Sequence, residues 1–267
     1  MTPFLRPRRP DEPAVRLAVF HHAGGSAAAY FPLGRKLPAD WDVLLADLPE
    51  RATGEAAPLP WDLPGAVKEL AEDLLPWADG TPLALFGHSL GAVVAFETAH
   101  ALRERGVPVA WVGVSGRVAP GLRVPVSWLD PGSTDEELRR ALARLGGLPE
   151  RLDAYPAVRR RFLRLIRNDL WALDGYRTDT SRKPLAAPLT AFGGAADPLA
   201  PPAALAAWAR QTTGRFGQRA LTGGHFELFA DGFEEFAPLL ADAVRTHVLT
   251  PPSAAPAAAV TYAYERA

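Results

Sequence analysis

The chain has 267 residues, of which 48% are hydrophobic, so it can bury a large core and is not disordered as a whole. Its formal net charge of −1 gives no overall field that would favour nucleic acid or an anionic membrane as a partner. It has no cysteine, which excludes disulfides, thiolate metal sites and a cysteine nucleophile.

The two ends of the chain differ in composition from the part between them. Residues 1–14 are rich in Arg and Pro and lack the apolar core of a signal peptide, and no apolar run approaches the roughly 20 residues that span a bilayer. Residues 249–267 are rich in Pro and Ala without periodicity. We therefore expect a flexible segment over 1–14, one domain over 15–248, a disordered tail over 249–267, and a soluble cytoplasmic protein.

Short apolar runs that end in turn residues predict the strands of this domain. Amphipathic stretches lie between them, for example Val67, Leu70 and Leu74 on one face of a helix. The alternation predicts an α/β fold with a mostly parallel sheet and helices on both of its faces. The predicted strands are 15–20, 43–46, 83–86, 111–114, 189–192 and 219–221.

The alternation stops after Gly116 and returns near Leu189, and helices fill the gap. The run Ser133-Thr134-Asp135-Glu136 has the form of a capping box, in which the serine caps a helix that ends at Gly146. A second helix is predicted to begin at Pro156. Two amphipathic helices inserted between strands predict a lid over about 120–185. The apolar stripe of the second helix comprises Val158, Phe162, Leu165, Ile166, Leu170 and Leu173.

The run Gly87-His88-Ser89-Leu90-Gly91 stands between an apolar strand and an apolar helix. A strand that enters a helix through G-x-S-x-G is a nucleophile elbow, which exposes the serine above the carboxyl end of the sheet. The glycines are required because a side chain at either position would strike a neighbouring strand or helix. Ser89 is therefore the predicted nucleophile, and a serine that only caps the helix is the alternative.

A serine nucleophile requires a histidine base and an acid that orients it. Among six histidines, His225 follows the last strand on a glycine-rich loop, whereas the others lie in the elbow, on helices or after the first strand. The acid should lie between Ser89 and the base at a strand end, and Asp197 in the run after residues 189–192 satisfies this order. His225 and Asp197 complete the predicted triad, with a plain loop histidine and a turn aspartate as the alternatives.

Two backbone amides should stabilise the oxyanion of the tetrahedral intermediate. The residue after the nucleophile, Leu90, supplies one, and Ala23 in the glycine-containing loop after the first strand is the candidate for the other. A turn that only caps the next helix is the alternative for this loop. No phosphate-binding loop and no metal-ligand spacing is found, so neither a cofactor nor a metal is expected.

The chain resembles the type II thioesterases, stand-alone α/β-hydrolases that accompany polyketide synthases and nonribosomal peptide synthetases. One departure is Glu50, which stands where the family usually has glycine. The motifs that carry the resemblance are FHHAGGSA at 20–27, LALFGHSLGAVVAFE at 83–97, VSGRVAP at 114–120, LRRALARLGGLPE at 138–150, FGGAADPL at 192–199, WARQTTGRF at 208–216 and GGHFEL at 223–228.

The resemblance implies an editing enzyme that hydrolyses unproductive acyl groups from the phosphopantetheine arm of acyl or peptidyl carrier proteins. It also implies the same triad and oxyanion hole, and we expect a monomer. A medium-chain fatty-acyl thioesterase, a lidded carboxylesterase or lipase, and a non-catalytic carrier-protein binder are the alternatives. Because carrier proteins are generally acidic, a basic lid helix could steer them, although a solvated helix face explains the same charges. Its arginines are Arg159, Arg160, Arg161, Arg164 and Arg167.

Overall fold

A seven-stranded sheet organises the protein, as seen in a computed structural model that describes residues 4–49, 61–124, 126–149, 152–179 and 181–249. The strand order is β1-β3-β2-β4-β5-β6-β7, and every neighbouring pair is parallel except β1 with β3. Glu50 and the predicted tail beyond Leu249 lie outside the described residues. The strands are β1 (Phe4–Leu5), β2 (Val15–Phe20), β3 (Trp41–Ala46), β4 (Leu83–His88), β5 (Trp111–Ser115), β6 (Leu189–Gly194) and β7 (Phe216–Leu221).

Helices cover both faces of the sheet, because side chains alternate along each strand and the central strands are buried on both sides. One face packs on α2 and α3, and the other packs on α1 and α7, so two apolar cores flank the sheet. This architecture confirms the predicted α/β class. The helices are α1 (Phe31–Lys36), α2 (Leu63–Leu74), α3 (Leu90–Glu104), α4 (Asp135–Leu145), α5 (Pro156–Gly175), α6 (Pro202–Leu205) and α7 (Phe236–Val244).

Helices α4 and α5 lie between β5 and β6 and form the predicted helical lid, with an apolar cluster of their own. The capping box is displaced by one residue from the prediction. Thr134 caps α4 by accepting from the Glu137 amide, and the Glu137 carboxylate accepts from the Thr134 amide. Gly146 ends the helix in the left-handed conformation, with a φ of 74°. Val158 was expected in the apolar stripe of α5, but it is 56% exposed, since none of the described elements covers that turn.

The predicted flexible segment over 1–14 requires a correction for its described part. Phe4 is buried, and β1 pairs with the edge of β3. The Arg6 guanidinium donates to both carboxylate oxygens of Asp42 at 2.9 Å. A strand of two residues has no periodicity to reveal it in the sequence, and its order depends on partners more than thirty residues away.

Candidate active site

Ser89 stands at the turn between β4 and α3, with φ 57° and ψ −113°. A Cβ at Gly87 would lie 1.8 Å from the carbonyl oxygen of Gly91, and one at Gly91 would lie 2.1 Å from that of Phe20. Both neighbours are backbone atoms that cannot turn away. The two glycines therefore allow the tight turn for the steric reason that the sequence predicts.

The backbone of Ser89 is held in this unfavourable conformation by its surroundings. Its amide donates to the carbonyl oxygen of Ser115 at 2.8 Å, which ties the elbow to the end of β5. A positive φ in a residue with a side chain costs on the order of 1–3 kcal/mol and is found mainly at functional sites. The elbow also places Ser89 at the N-terminus of α3, where the helix dipole favours developing negative charge.

Asp197 and His225 are brought together from the ends of β6 and β7. The Nδ1 atom of His225 donates to Oδ2 of Asp197 at 2.8 Å, and both side chains are almost completely buried. The other oxygen of Asp197, Oδ1, accepts from the amide of Leu199 at 2.8 Å. Both carboxylate oxygens therefore accept a hydrogen bond, and the bond to Oδ2 keeps the imidazole proton on Nδ1.

The loops that carry this pair are themselves joined by backbone hydrogen bonds. The amide of Ala195 donates to Leu221, and that of Ala196 donates to Gly223. A Cβ at Gly194 would lie 2.2 Å from the carbonyl oxygen of Gly223, so the loops approach too closely for a side chain there. The GGAADP and GGHF segments therefore form one packed unit.

Gly116, at the end of β5, lies against the rings of His88 and His225. It was not identified as a site residue from the sequence. It has a φ of 61°, and a Cβ on it would lie 2.5 Å from Cε1 of His88 and 3.0 Å from Cε1 of His225. Gly116 directly follows β5, which lies in the sheet between the strand before Ser89 and the strand before Asp197. That position in the sequence could have indicated a site residue.

His88 lies inside the elbow but is placed as a packing residue. Its ring is completely buried, and its Nδ1 lies 3.1 Å from Oγ of Ser115. The rings of His88 and His225 have centroids 4.8 Å apart. Burial, followed by the charges of His225 and His22, holds the pKa of His88 well below its ordinary value. It is therefore a neutral imidazole packed against the ring of His225.

The loop after β2 carries Ala23 beside the serine. The amide of Leu48 donates to Nε2 of His21 at 3.0 Å, so the proton of His21 lies on Nδ1 and is donated to the carbonyl of His22. The amide of Gly24 donates to Oδ2 of Asp169 at 2.7 Å. Ala23 and Leu90 both line the cavity at Ser89, and the Leu90 amide opens α3, where it has no acceptor within the helix.

Asp169 is a second residue that sequence reasoning did not place in the site. It is completely buried on α5, and its two oxygens accept from the Gly24 amide and from Nε1 of Trp61, the latter at 2.8 Å. The lid is thereby tied to the Ala23 loop. An acid between the apolar positions Ile166 and Leu170 of a predicted stripe was the available signal.

A cavity of about 720 Å³ extends from Ser89 into the lid. Its walls include Leu142 and Leu145 from α4, and Leu170 from α5. The apolar lining suits an acyl chain, and the triad candidates Ser89 and His225 open into it. Among the described residues, no group of three His, Cys, Asp or Glu side chains is placed to hold a metal ion, and no described helix is long and apolar enough to cross a membrane.

Comparisons with known proteins identify the family and the relatives of this chain. The family model described as thioesterase domain matches residues 15–243. The chain is 40% identical over 222 residues to thioesterase PikA5 of Streptomyces venezuelae, covering 80% of this chain and 76% of that protein.

Two solved structures have the same fold and a similar length. The RedJ thioesterase from the prodiginine pathway of Streptomyces coelicolor superposes with a TM-score of 0.80 at 33% identity, covering 91% of this chain and 95% of RedJ. BorB, described as a type II thioesterase from the borrelidin biosynthetic cluster, superposes with a TM-score of 0.76 at 32% identity, covering 92% of this chain and 98% of BorB.

Proposed function

The chain belongs to the thioesterase domain family, and from this premise we propose that it removes acyl groups from carrier proteins of a polyketide or nonribosomal peptide assembly line. RedJ and BorB, which are similar in length to this chain, come from biosynthetic pathways of this kind, and this supports carrier proteins as partners. The observation that carries the proposal is the hydrogen bond between His225 and Asp197, at the cavity onto which Ser89 opens.

The chemistry follows from the atoms that face the cavity. Because Nδ1 of His225 is hydrogen-bonded to Asp197, Nε2 is the nitrogen that accepts the proton of Ser89. The serine oxygen attacks the thioester carbonyl, and the amides of Ala23 and Leu90 bind the resulting oxyanion. The intermediate collapses to an acyl-enzyme as the pantetheine thiol leaves with the proton from His225.

Hydrolysis completes the cycle on the same residues. Water enters the site, His225 removes its proton, and the hydroxide formed attacks the acyl-serine carbonyl. The second tetrahedral intermediate uses the same two amides and releases the carboxylic acid as Ser89 recovers its proton. All five proposed site residues come from one chain, so we propose that a monomer is active and that no cofactor is required.

Docking of the carrier protein is proposed on the basic outer face of α5. Two of its arginines already have partners, since Arg159 pairs with Asp153 at 3.3 Å and Arg167 pairs with Asp135 at 2.7 Å. Arg160 is exposed on the same helix. Arg160→Glu should slow carrier-protein turnover and weaken its salt dependence, whereas the exposed Arg210, in the segment between β6 and β7, gives the control Arg210→Glu. Equal turnover by both variants at low salt would exclude steering by Arg160.

The function is tested by following the mass of an acyl carrier protein loaded with short and medium acyl groups. The wild type should restore the free phosphopantetheine mass, and Ser89→Ala should leave the acyl mass intact. An oxygen ester of the same acyl group is the matched comparison. If mass loss does not depend on Ser89, the proposal is wrong, and faster ester than thioester turnover would indicate an esterase instead.

A further inference from the structure

Arg117 is a charged residue in the wall of the acyl cavity. It follows Gly116, where a Cβ would lie 3.0 Å from Cε1 of His225, and both Arg117 and His225 line the cavity. Its backbone carbonyl accepts from Nε1 of Trp208 at 2.8 Å, and the next two residues, Val118 and Ala119, are buried. The chain around Arg117 is therefore fixed on both sides, and Arg117 lines the cavity.

Among the described residues, no acceptor atom lies within hydrogen-bond or ion-pair distance of the Arg117 guanidinium. The other arginine and carboxylate side chains that line the described cavity, Arg123, Asp174 and Arg177, are exposed at its rim. Burial lowers the pKa of Arg117 to about 10, so it is still protonated at neutral pH, and the nearby phenol of Tyr176 opposes the shift only in part.

Arg117 is half-buried, and a cation removed from bulk water is stabilised when its donors are paired, so an acceptor atom in the cavity would stabilise it. An acyl carboxylate would offer the strongest hydrogen bonds but would lose its own hydration on entering. A neutral ketone or hydroxyl oxygen accepts a charge-assisted hydrogen bond at a smaller desolvation cost. The five donors of the guanidinium can meet such an oxygen from several directions.

We propose that Arg117 binds an oxygen atom of the acyl chain beyond the thioester carbonyl, so that the enzyme prefers oxygenated acyl groups over plain alkyl groups of equal length. This inference rests on the proposed thioesterase function. It adds a specificity-determining residue to the site, because the oxygen selects the acyl group and takes no part in bond cleavage.

The test compares octanoyl-pantetheine with its oxo derivatives, in which the ketone moves one carbon at a time from the fourth to the seventh. A ketone at these positions leaves the reactivity of the thioester carbonyl nearly unchanged, so differences in kcat/KM report binding in the cavity. A hydrogen bond to a charged group predicts a preference of about 10-fold or more for at least one oxo position in the wild type.

Arg117→Met keeps the length of the side chain and removes its charge, and it should abolish the preference. Arg117→Lys should retain part of it, which keeps the test valid if the methionine variant unfolds. Arg210→Met, on the exposed surface, should have the wild-type rates and ratio. A structural role for Arg117 would lower both rates together and leave the ratio unchanged, and that result would overturn the inference.

Two further outcomes are informative. If the analogue with a terminal carboxylate is hydrolysed faster than every oxo derivative, the site is an anion site and the preference for neutral oxygen is wrong. If no substrate shows Ser89-dependent hydrolysis, the proposed function fails and the inference fails with it, whereas hydrolysis without an oxo preference refutes the inference alone.

Discussion

Asp197→Asn gives the sharpest test of the proposed triad, because the structure shows what the substitution keeps and what it changes. The amide oxygen of asparagine can accept from the Leu199 amide as Oδ1 does now, at 2.8 Å. Its NH₂ group then faces Nδ1 of His225, where Oδ2 accepts a proton at present. Nδ1 must then accept a hydrogen bond from the asparagine NH₂ group, so the imidazole proton moves to Nε2.

A proton on Nε2 prevents His225 from accepting the proton of Ser89, so catalysis should collapse while the fold remains. We expect a fall in kcat of about 10⁴, equivalent to roughly 5.5 kcal/mol in the activation free energy. The change in the free energy of unfolding should stay within about 1 kcal/mol, since shape and one hydrogen bond are conserved. Single-turnover deacylation and urea unfolding measure the two quantities.

The chain offers a matched control for this substitution. Asp130 is exposed, and its Oδ1 accepts from the amide two residues on, that of Gly132, at 2.7 Å, which is the same local turn without a histidine. Asp130→Asn should leave kcat unchanged. If Asp197→Asn retained more than a tenth of the wild-type kcat, the assignment of Asp197 as the orienting acid would be wrong.

Three other changes should affect stability. Asp169→Ala leaves the Gly24 amide and the Trp61 indole without an acceptor, and should cost about 2–5 kcal/mol in urea unfolding. Gly87→Ala would force a Cβ to 1.8 Å from a backbone carbonyl oxygen, and should yield little folded protein on expression. Burial lowers the pKa of His100 to about 3, so the unfolded state binds its proton first as pH falls below 6.5, and stability should decline by roughly 1 kcal/mol per pH unit.

Each of these predictions has its own control. Asp169→Asn keeps one acceptor and should lose less stability than the alanine variant. A Cβ at Gly175 would meet nothing within 4 Å, so Gly175→Ala should fold normally. His100→Gln should flatten the loss of stability between pH 6.5 and pH 3. Equal unfolding midpoints for the two Asp169 variants, normal yields of Gly87→Ala or an unchanged acid slope in His100→Gln would contradict the respective arguments.

The sequence predicted the strands and the elbow because both depend on local chemistry. Apolar runs that end in turn residues mark strands buried on two faces, and the glycines around Ser89 are required by contacts with the adjacent backbone. The pairing of Asp197 with His225 was predicted from chain order and strand ends. In the structure the two side chains are joined by a hydrogen bond of 2.8 Å.

Other features depend on contacts that no local pattern contains. Asp169 was assigned to the lid region, but its partners lie on the Ala23 loop and at Trp61, more than a hundred residues away. The capping box was displaced by one residue because serine and threonine are adjacent and both can cap a helix. Val158 fits the periodicity of α5, yet periodicity does not reveal whether a neighbour covers that turn.

The arrangement of the sheet also has a consequence for folding. Ser89 follows β4, whereas Asp197 and His225 follow β6 and β7, and β6 reaches β5 only across the whole lid insertion. The entropy of closing this connection is lost before the strand pairing compensates for it, so this pairing belongs with the slow, non-local steps of folding. When the unfolded protein refolds, the recovery of hydrolysis therefore marks the completion of the pairing between β5 and β6. The helical circular-dichroism signal is expected to return before that pairing is complete.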